Sequence, residues 1–412
     1  MISYPAIASA IIKKENWIPK PESARTIEKE SVLGPLFSIS SLPTTAVIVA
    51  DTLFPSTLPQ EEIQENVNHV RNKLLEVHMI LQDIVLTLLK SSPESKEAVL
   101  QWFSVVLNTN MERIRLRGDI NNSSSDGFFL NLTAVLLLLC QPFIEKPASI
   151  STTFMATSSR LDLSNETKMN CSAEEFQKYV QTLPKKPTNF IADCFLFTLR
   201  SLQIGYLVVI ERYKYLFQRL YETEQAKASL ENTRHVWANT PRAQNNETVL
   251  ADISRKLVHL KADKVATEAH VKLPEVLERI CSFYSLSMRW MLGIASPNNT
   301  FPLAPQAPMA FKALPEFMVM DIIDYHLFLE RHAVDVFSTS NNQVLLTFQT
   351  AFIDQDDYVH NPYIRSKLIN VWSNKLYSHL FLDKLKNYLF FCSVHGGIAA
   401  NSKWKTRAAQ SL

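Results

Sequence analysis

The side chains that could do chemistry in this chain are few and scattered. Asp321, Asp324 and Glu330 fall on one predicted helix, with His326 and His332 close by. A metal cluster would need acid and imidazole groups on one face at three- or four-residue spacing. Asp321 and Asp324 meet that spacing for carboxylates only, so a solvated face or pairing between helices is the better reading. Asp354, Asp356 and Asp357 precede a helix start, without the glycine or closing glutamate of a calcium loop. Cys392 and His395 are close in sequence but lie in a segment with no rigid context, too little for thiol–imidazole catalysis. His395-Gly396-Gly397 resembles an oxyanion turn, yet no Gly-x-Ser-x-Gly elbow accompanies it, and there is no phosphate-binding loop or His-Glu-x-x-His pair. Arg113, Arg115 and Arg117 alternate with Ile114 and Leu116; they could dock an acidic partner, but a solvated helix end near Gly118 is expected. No catalytic, cofactor-binding or metal residue is assigned.

The elements that must position these groups are helical. Glycine occurs 7 times in 412 residues, where a doubly wound sheet or barrel would use several times more in its turns. Leu, Lys, Glu, Gln and Ala abound, so the composition reads as all-α. With 46% hydrophobic residues the chain can bury a sizeable core, in two or three compact domains or one extended array. Its 42 basic and 40 acidic residues leave a net charge of +2, no global pull toward nucleic acid or an anionic membrane. The cysteines, at 140, 171, 194, 281 and 392, are odd in number and have no CxxC pair. They read as reduced, buried thiols of a cytosolic or nuclear protein. Residues 1–12 lack the basic start of a signal peptide. Phe195, Phe197, Tyr206, Tyr213, Tyr215 and Phe217 recur at helical spacing and are expected in the core; a nucleic-acid stacking platform would want basic residues interleaved.

Along the chain, residues 1–31 form a polar lead-in. Residues 60–90 show Val67, Val70, Leu74, Leu75, Val77 and Leu81 at helical spacing. Ser92-Pro93 opens the next helix, through Trp102, Phe103, Val106 and Leu107. Residues 144–188 read as a long loop with one short helix. Helix resumes over 188–234, and a further pattern from Leu250 to Gly293 breaks near Pro274. Prolines at 297, 302, 305, 308 and 315 make an extended connector, with Pro315 in the first turn of the next helix. Asn361-Pro362 reads as an N-cap and first helical residue, before an inward face of Ile364, Leu368, Val371, Trp372 and Leu376. No repeat of fixed period is visible.

The most informative stretch is Asp126-Gly-Phe-Phe-Leu-Asn-Leu-Thr-Ala-Val-Leu-Leu-Leu-Leu-Cys-Gln-Pro-Phe143. Asp126 is expected to cap a helix through its carboxylate. Phe128, Leu132, Val135, Leu136 and Leu139 line one face, and Leu130, Ala134, Leu137 and Leu138 the other. Such a helix must be buried on most sides. Pro142 is expected to hold Gln141 out of the α region and end it, leaving about fifteen helical residues, short of the ~20 of a membrane span.

This stretch resembles the hallmark block of the core region of ubiquitin conjugation factors of the chain-elongating (E-four) class. Four further stretches fit that family in the same order: Leu33-Gly-Pro-Leu-Phe-Ser-Ile-Ser-Ser-Leu-Pro43, Asn189-Phe-Ile-Ala-Asp-Cys-Phe-Leu-Phe-Thr198, Leu314-Pro-Glu-Phe-Met-Val-Met-Asp-Ile-Ile-Asp324 and Tyr358-Val-His-Asn-Pro-Tyr-Ile-Arg-Ser-Lys-Leu368. The resemblance implies an elongated stack of helical hairpins, an armadillo-like solenoid, over residues 32–376. Residues 377–412 are then the end of a last helix and an atypical tail. The signature residues Asp126, Gly127, Asn131, Pro142, Asn361, Pro362, Tyr363, Arg365 and Lys367 are expected to be mainly structural. Arg365 and Lys367 are read as the exposed flank of a packing helix in preference to a partner-binding surface.

In the family, the core holds a terminal U-box, which recruits a ubiquitin-conjugating enzyme and biases its thioester toward attack by a ubiquitin lysine. The implied partners are an AAA segregase, proteasome shuttle factors and ubiquitinated substrates, in the cytoplasm and nucleus, with no cofactor. No run resembling the Pro-Asp-Glu-Phe-Leu-Asp-Pro of a U-box occurs in the sequence. The chain therefore reads as a fragment, a shortened isoform or a faulty gene model. The alternative is an armadillo-like adaptor unconnected with ubiquitin. It would carry Asn or Trp ladders at fixed spacing, whereas the tryptophans, at 17, 102, 237, 290, 372 and 404, are irregular. A self-contained enzyme would need a polar pocket that the pattern does not reveal.

Overall fold

Long runs at helical spacing, with almost no glycine to break them, produce helices throughout the computed structural model of the chain. It describes residues 5–42, 47–115, 118, 122–150, 160–161, 163–183, 189–298, 300–339, 342–353 and 355–368. In chain order the principal helices are α1 (Pro5–Ile12), α2 (Ala24–Glu30), α3 (Gly34–Phe37), α4 (Val47–Leu53), α5 (Gln60–Ser91), α6 (Pro93–Thr109), α7 (Asp126–Cys140), α8 (Ala173–Thr182), α9 (Phe190–Ser201), α10 (Leu207–Asn232), α11 (Ala243–Val271), α12 (Pro274–Ala295), α13 (Met309–Lys312), α14 (Phe317–His332), α15 (Val334–Thr339) and α16 (Asn342–Phe352). Residues 362–368 are also helical. No β-strand occurs among the described residues, only an isolated antiparallel bridge between Lys168 and Pro315. The all-α reading stands. The helices form two compact units, residues 1–142 with 193–280, and residues 143–192 with 281–412.

In the first unit, α5 buries Val67, Val70, Leu74, His78, Leu81 and Val85, one side chain per turn. Ser92 ends it and starts α6, its hydroxyl accepting the Ser95 N–H while Pro93 takes the first helical position. α10 and α11 form a second hairpin. Tyr213 faces Glu268, Glu224 faces Lys261 and Arg234 faces Glu247, so the two run antiparallel. Leu220, Leu257 and Leu260 close the seam between them. α7 packs against α5, α3 and the π turn before α10, and every one of its residues but Leu138 is buried. By length and apolar content, Asp126–Phe143 and Phe190–Asn232 could each cross a membrane, but 89% of each apolar window is buried within the protein.

Several expectations give way to tertiary contacts. Within the expected lead-in, α1 and α2 are helical, Ala8, Trp17, Ala24 and Ile27 are buried, and the Trp17 indole donates to the Ala98 carbonyl. Gln141 keeps an α conformation, and a 3₁₀ turn over Gln141–Phe143 carries Pro142. Of the aromatic run, Tyr215 and Phe217 face solvent, at 67% and 47% exposed, because the outer end of the hairpin has a narrow buried seam.

α9 passes into α10 through a π turn, Leu202–Tyr206. A π turn widens the helix and frees a carbonyl. Here Gly205 lets the backbone approach Phe129 so closely that a Cβ would lie 2.6 Å from its ring.

In the second unit, residues 167–170 run beside the connector that follows α12. Met169 N donates to Leu314 O at 2.9 Å, and Glu316 N to Thr167 O at 2.9 Å. Pro315 therefore lies just outside α14, as part of this pairing. The connector holds the short helix α13, whose Phe311 stacks on Phe352 at 4.9 Å between ring centroids. A Ser172–Glu175 capping box starts α8, the one short helix expected in this stretch.

Gly205→Ala drives a methyl group into the Phe129 ring. It is expected to lower stability by about 1–3 kcal/mol, as overpacking does, seen as a fall in the urea midpoint. A midpoint like that of the unsubstituted chain would show that the π turn tolerates a Cβ.

Candidate functional site

Three of the five family-like blocks meet in the first unit, and polar groups join them. Asn131, midway along the apolar helix α7, donates both amide hydrogens to the block before α4: to Phe37 O at 2.8 Å and Ile39 O at 2.7 Å. Its oxygen accepts from His78 Nε2 of α5 at 3.1 Å. One buried amide thus binds three segments. Four residues earlier on α7, Gly127 opens the space for the same block; a Cβ there would sit 2.3 Å from Ser40 Cβ. Ser40 in turn donates to His270 Nε2 of α11 at 3.1 Å, while His270 Nδ1 donates to the Ala266 carbonyl. The third block enters through α9, where the Thr198 hydroxyl lies 3.1 Å from Cys140 Sγ.

Asp126 departs from expectation. Ser125 is the cap, its hydroxyl oxygen accepting the Phe128 N–H, and Asp126 is the first helical residue. Its carboxylate is 5% exposed and faces two guanidinium groups, Arg113 Nη2 at 2.7 Å and Arg212 Nη1. Burial alone would push the Asp126 carboxyl up; Arg113 and Arg212 outweigh it and hold it below the usual carboxylate range. Arg113 is likewise no solvated helix end. Its side chain is fully buried, donating also to Ile204 O at 2.7 Å and to Ser124 O, and lies over the Phe129 ring. The π turn supplies that Ile204 carbonyl. Arg115 stays on the surface beside Glu112, and Arg117 lies outside the described residues. Glu28, 4% exposed, accepts from the Ser125 N–H and hydroxyl, so α2 is tied to the start of α7.

A cleft of about 150 Å³ opens beside Asp126, with Leu42, Val209, Arg212, Tyr213 and Asp263 among its walls. The carboxylate it reaches is already matched by two cations. Burial pushes the Cys140 thiol up to about 12 and Cys194 well above its ordinary value, so both stay protonated at neutral pH. No group of three or more His, Cys, Asp or Glu among the described residues is placed to hold a metal ion.

The last two blocks meet in the second unit. Asn361 Oδ1 accepts the Tyr363 N–H at 3.0 Å, with Pro362 opening the helix, and Asn361 Nδ2 donates to Glu316 at the start of α14. Lys367 reaches Asp324 of α14 at 2.7 Å, and Arg365 pairs with Asp356. Both cations are paired within the unit and stay partly exposed. Asp357 takes the Ala307 N–H, Lys312 and Asn170; Lys312 first, then that N–H, hold its carboxyl below the usual range. His326 is buried and donates to the Ile322 carbonyl. Ile364 and Leu368 are buried. Asp354, Val371, Trp372, Leu376, Cys392, His395 and the glycines at 396 and 397 lie outside the described residues. The pattern missed His78, His270, Arg212 and Glu28; the one signal was His78, in the buried stripe of α5 between Leu74 and Leu81.

Asn131→Leu keeps the number and branching of heavy atoms but strands the Phe37 and Ile39 carbonyls. It is expected to cost about 3–5 kcal/mol, at 1–3 kcal/mol per buried unsatisfied group, and a loss below about 1 kcal/mol in urea titration would dismiss the brace. The histidines make a pH prediction. Burial lowers both His78 and His270 to about 4 from 6.5. The unfolded chain takes up these protons at a higher pH than the fold, so stability falls as pH drops from ~6.5 to ~4, by up to about 3 kcal/mol per histidine, and no further below that. Urea midpoints between pH 7 and pH 4 should show the decline, and His78→Gln with His270→Gln should flatten it; an unchanged slope would contradict this account.

Comparison with known proteins bears on the same blocks. Residues 33–391 match the family model described as ubiquitin elongating factor core. The chain is 26% identical to the probable ubiquitin conjugation factor E4 of Arabidopsis thaliana, covering 90% of this chain and 40% of that protein. It is 25% identical to the ubiquitin conjugation factor E4 of Schizosaccharomyces pombe, covering 93% and 39%, and 25% identical to the E4 ubiquitin-protein ligase UFD2 of Saccharomyces cerevisiae, covering 84% and 39%. The chain thus spans about two fifths of the length of these curated relatives. Because the match runs through all five blocks and most of the chain, this protein belongs to the ubiquitin elongating factor core family.

Proposed function

We propose that this chain is the supporting core of a ubiquitin chain-elongation factor acting in ubiquitin-dependent degradation, built as the armadillo-like stack that the family resemblance implies. The observation that carries this reading is the family match over residues 33–391. The roles of the matching residues agree with it: Gly127, Asn131, Asp126, Asn361 and Lys367 hold one segment against another. Chain elongation of this type needs no nucleophile on the ligase. A conjugating enzyme carries the thioester, and the ligase contributes placement. A rigid helical body suits that task, since partners held at fixed separation meet at high effective concentration.

On this reading the conjugating enzyme is recruited by a U-box, and the core receives an AAA segregase, proteasome shuttle factors and ubiquitinated substrates, in the cytoplasm and nucleus. The names of the relatives, ubiquitin conjugation factor E4 and E4 ubiquitin-protein ligase, support the link with ubiquitin conjugation. The test is ubiquitination in vitro with activating enzyme, conjugating enzyme and a ubiquitinated substrate. The 412-residue polypeptide by itself is expected to leave chain growth at background, and the same polypeptide joined to a U-box to raise it. Growth with the polypeptide alone, or none with the joined form, would overturn the proposal.

A further inference from the structure

The sequence holds three Ser/Thr-Pro dipeptides, at Ser92-Pro93, Thr240-Pro241 and Ser296-Pro297. The fold treats them differently. The Ser92 hydroxyl caps α6 through the Ser95 N–H at 3.1 Å. Ser296 is 5% exposed and its hydroxyl is bonded to Thr300. Thr240 and Pro241 are exposed, as are Ala238, Asn239 and Arg242 around them, in the turn that joins α10 to α11. That turn is held by its own short-range bonds. Thr240 N and Oγ1 both donate to Trp237 O, at 3.0 and 2.8 Å, Ala243 N donates to Thr240 O at 3.0 Å, and Arg242 N to Thr240 Oγ1 at 3.3 Å. These bonds lie within residues 237–243, while the buried Trp237, whose indole donates to Leu230 O at 3.1 Å, and the Arg234–Glu247 pair hold the base of the connector, so the exposed tip can open locally.

A following proline makes Thr240 chemically distinct. Proline has no N–H to leave unpaired when an enzyme pocket closes over the position after the acceptor. It also biases Thr240 toward the extended backbone that a substrate groove takes. We propose that Thr240 is a phosphorylation site for a proline-directed Ser/Thr protein kinase, and that the phosphate caps the start of α11. In the reaction Thr240 Oγ1 attacks the γ-phosphorus of MgATP. The new O–P bond forms as the bond to the β-bridging oxygen breaks, ADP leaves with that electron pair, and the hydroxyl proton passes to the base of the kinase. The receiving end is prepared for an anion. α11 starts at Arg242 with no side-chain cap and no acidic residue in its first turn. Its N–H groups and the positive end of its dipole favour negative charge there. Arg234, paired with Glu247 at 2.5 Å, lies in the same connector and gives the phosphate a second cation to compete for.

The full chain, incubated with a cyclin-dependent kinase and MgATP, is followed by intact mass and peptide mapping. One phosphate on Thr240 is expected, lost in Thr240→Ala and also in Pro241→Ala, which keeps the hydroxyl. Both variants are expected to keep the helical circular dichroism of the unsubstituted chain, since Thr240 and Pro241 are exposed. Phosphate on other residues, incorporation that survives Pro241→Ala, or no incorporation at all would overturn the assignment. In the phosphorylated chain, amide exchange over residues 243–247 should slow; exchange as fast as in the unmodified chain would refute the capping.

Discussion

A buried carboxylate facing two guanidinium groups is the constraint on which the first unit depends. Asp126 and Arg113 are both buried, and Arg212 joins from the rim of the cleft. Bringing such charges out of water is costly, and the attraction between them offsets that cost only when the remaining donors are satisfied. Arg113 meets the condition by bonding the Ile204 and Ser124 carbonyls as well. Its guanidinium is therefore the point at which the start of α7, the turn after α6 and the π turn before α10 must coincide. Any sliding of one against the others would strand a charge.

The rest of the polar interior extends this logic without charge. Apolar faces attract one another but accept several registers, whereas an amide buried in an apolar helix accepts one. Asn131 fixes the block before α4 against α7 and α5, and Gly127 removes the Cβ that would hold them apart. The second unit relies on more exposed pairs, such as Lys312–Asp357 and Lys367–Asp324. Such pairs contribute less each, but they tie the end of α13 and the middle of α14 to segments later in the chain.

The sequence by itself determined the fold class, because spacing at three and four residues and a dearth of glycine are local properties that a helix reads directly. It located the helix–turn signals at Ser92-Pro93 and Asn361-Pro362, where cap and partner lie within one turn. It also marked the family blocks, including Asn131 and Gly127, without revealing what they touch. Only the tertiary structure decided the partners. Asp126 reads as a cap because a carboxylate before an apolar run usually is one; Ser125 took that role once Arg113 and Arg212, distant in sequence, drew Asp126 inward. Arg113 reads as solvated because a charge at a helix end usually is, until a free carbonyl and a carboxylate meet it in the interior. Long-range partners of buried polar groups leave no periodic trace in the chain, because one hydrogen bond needs one correctly placed atom and no pattern of neighbours.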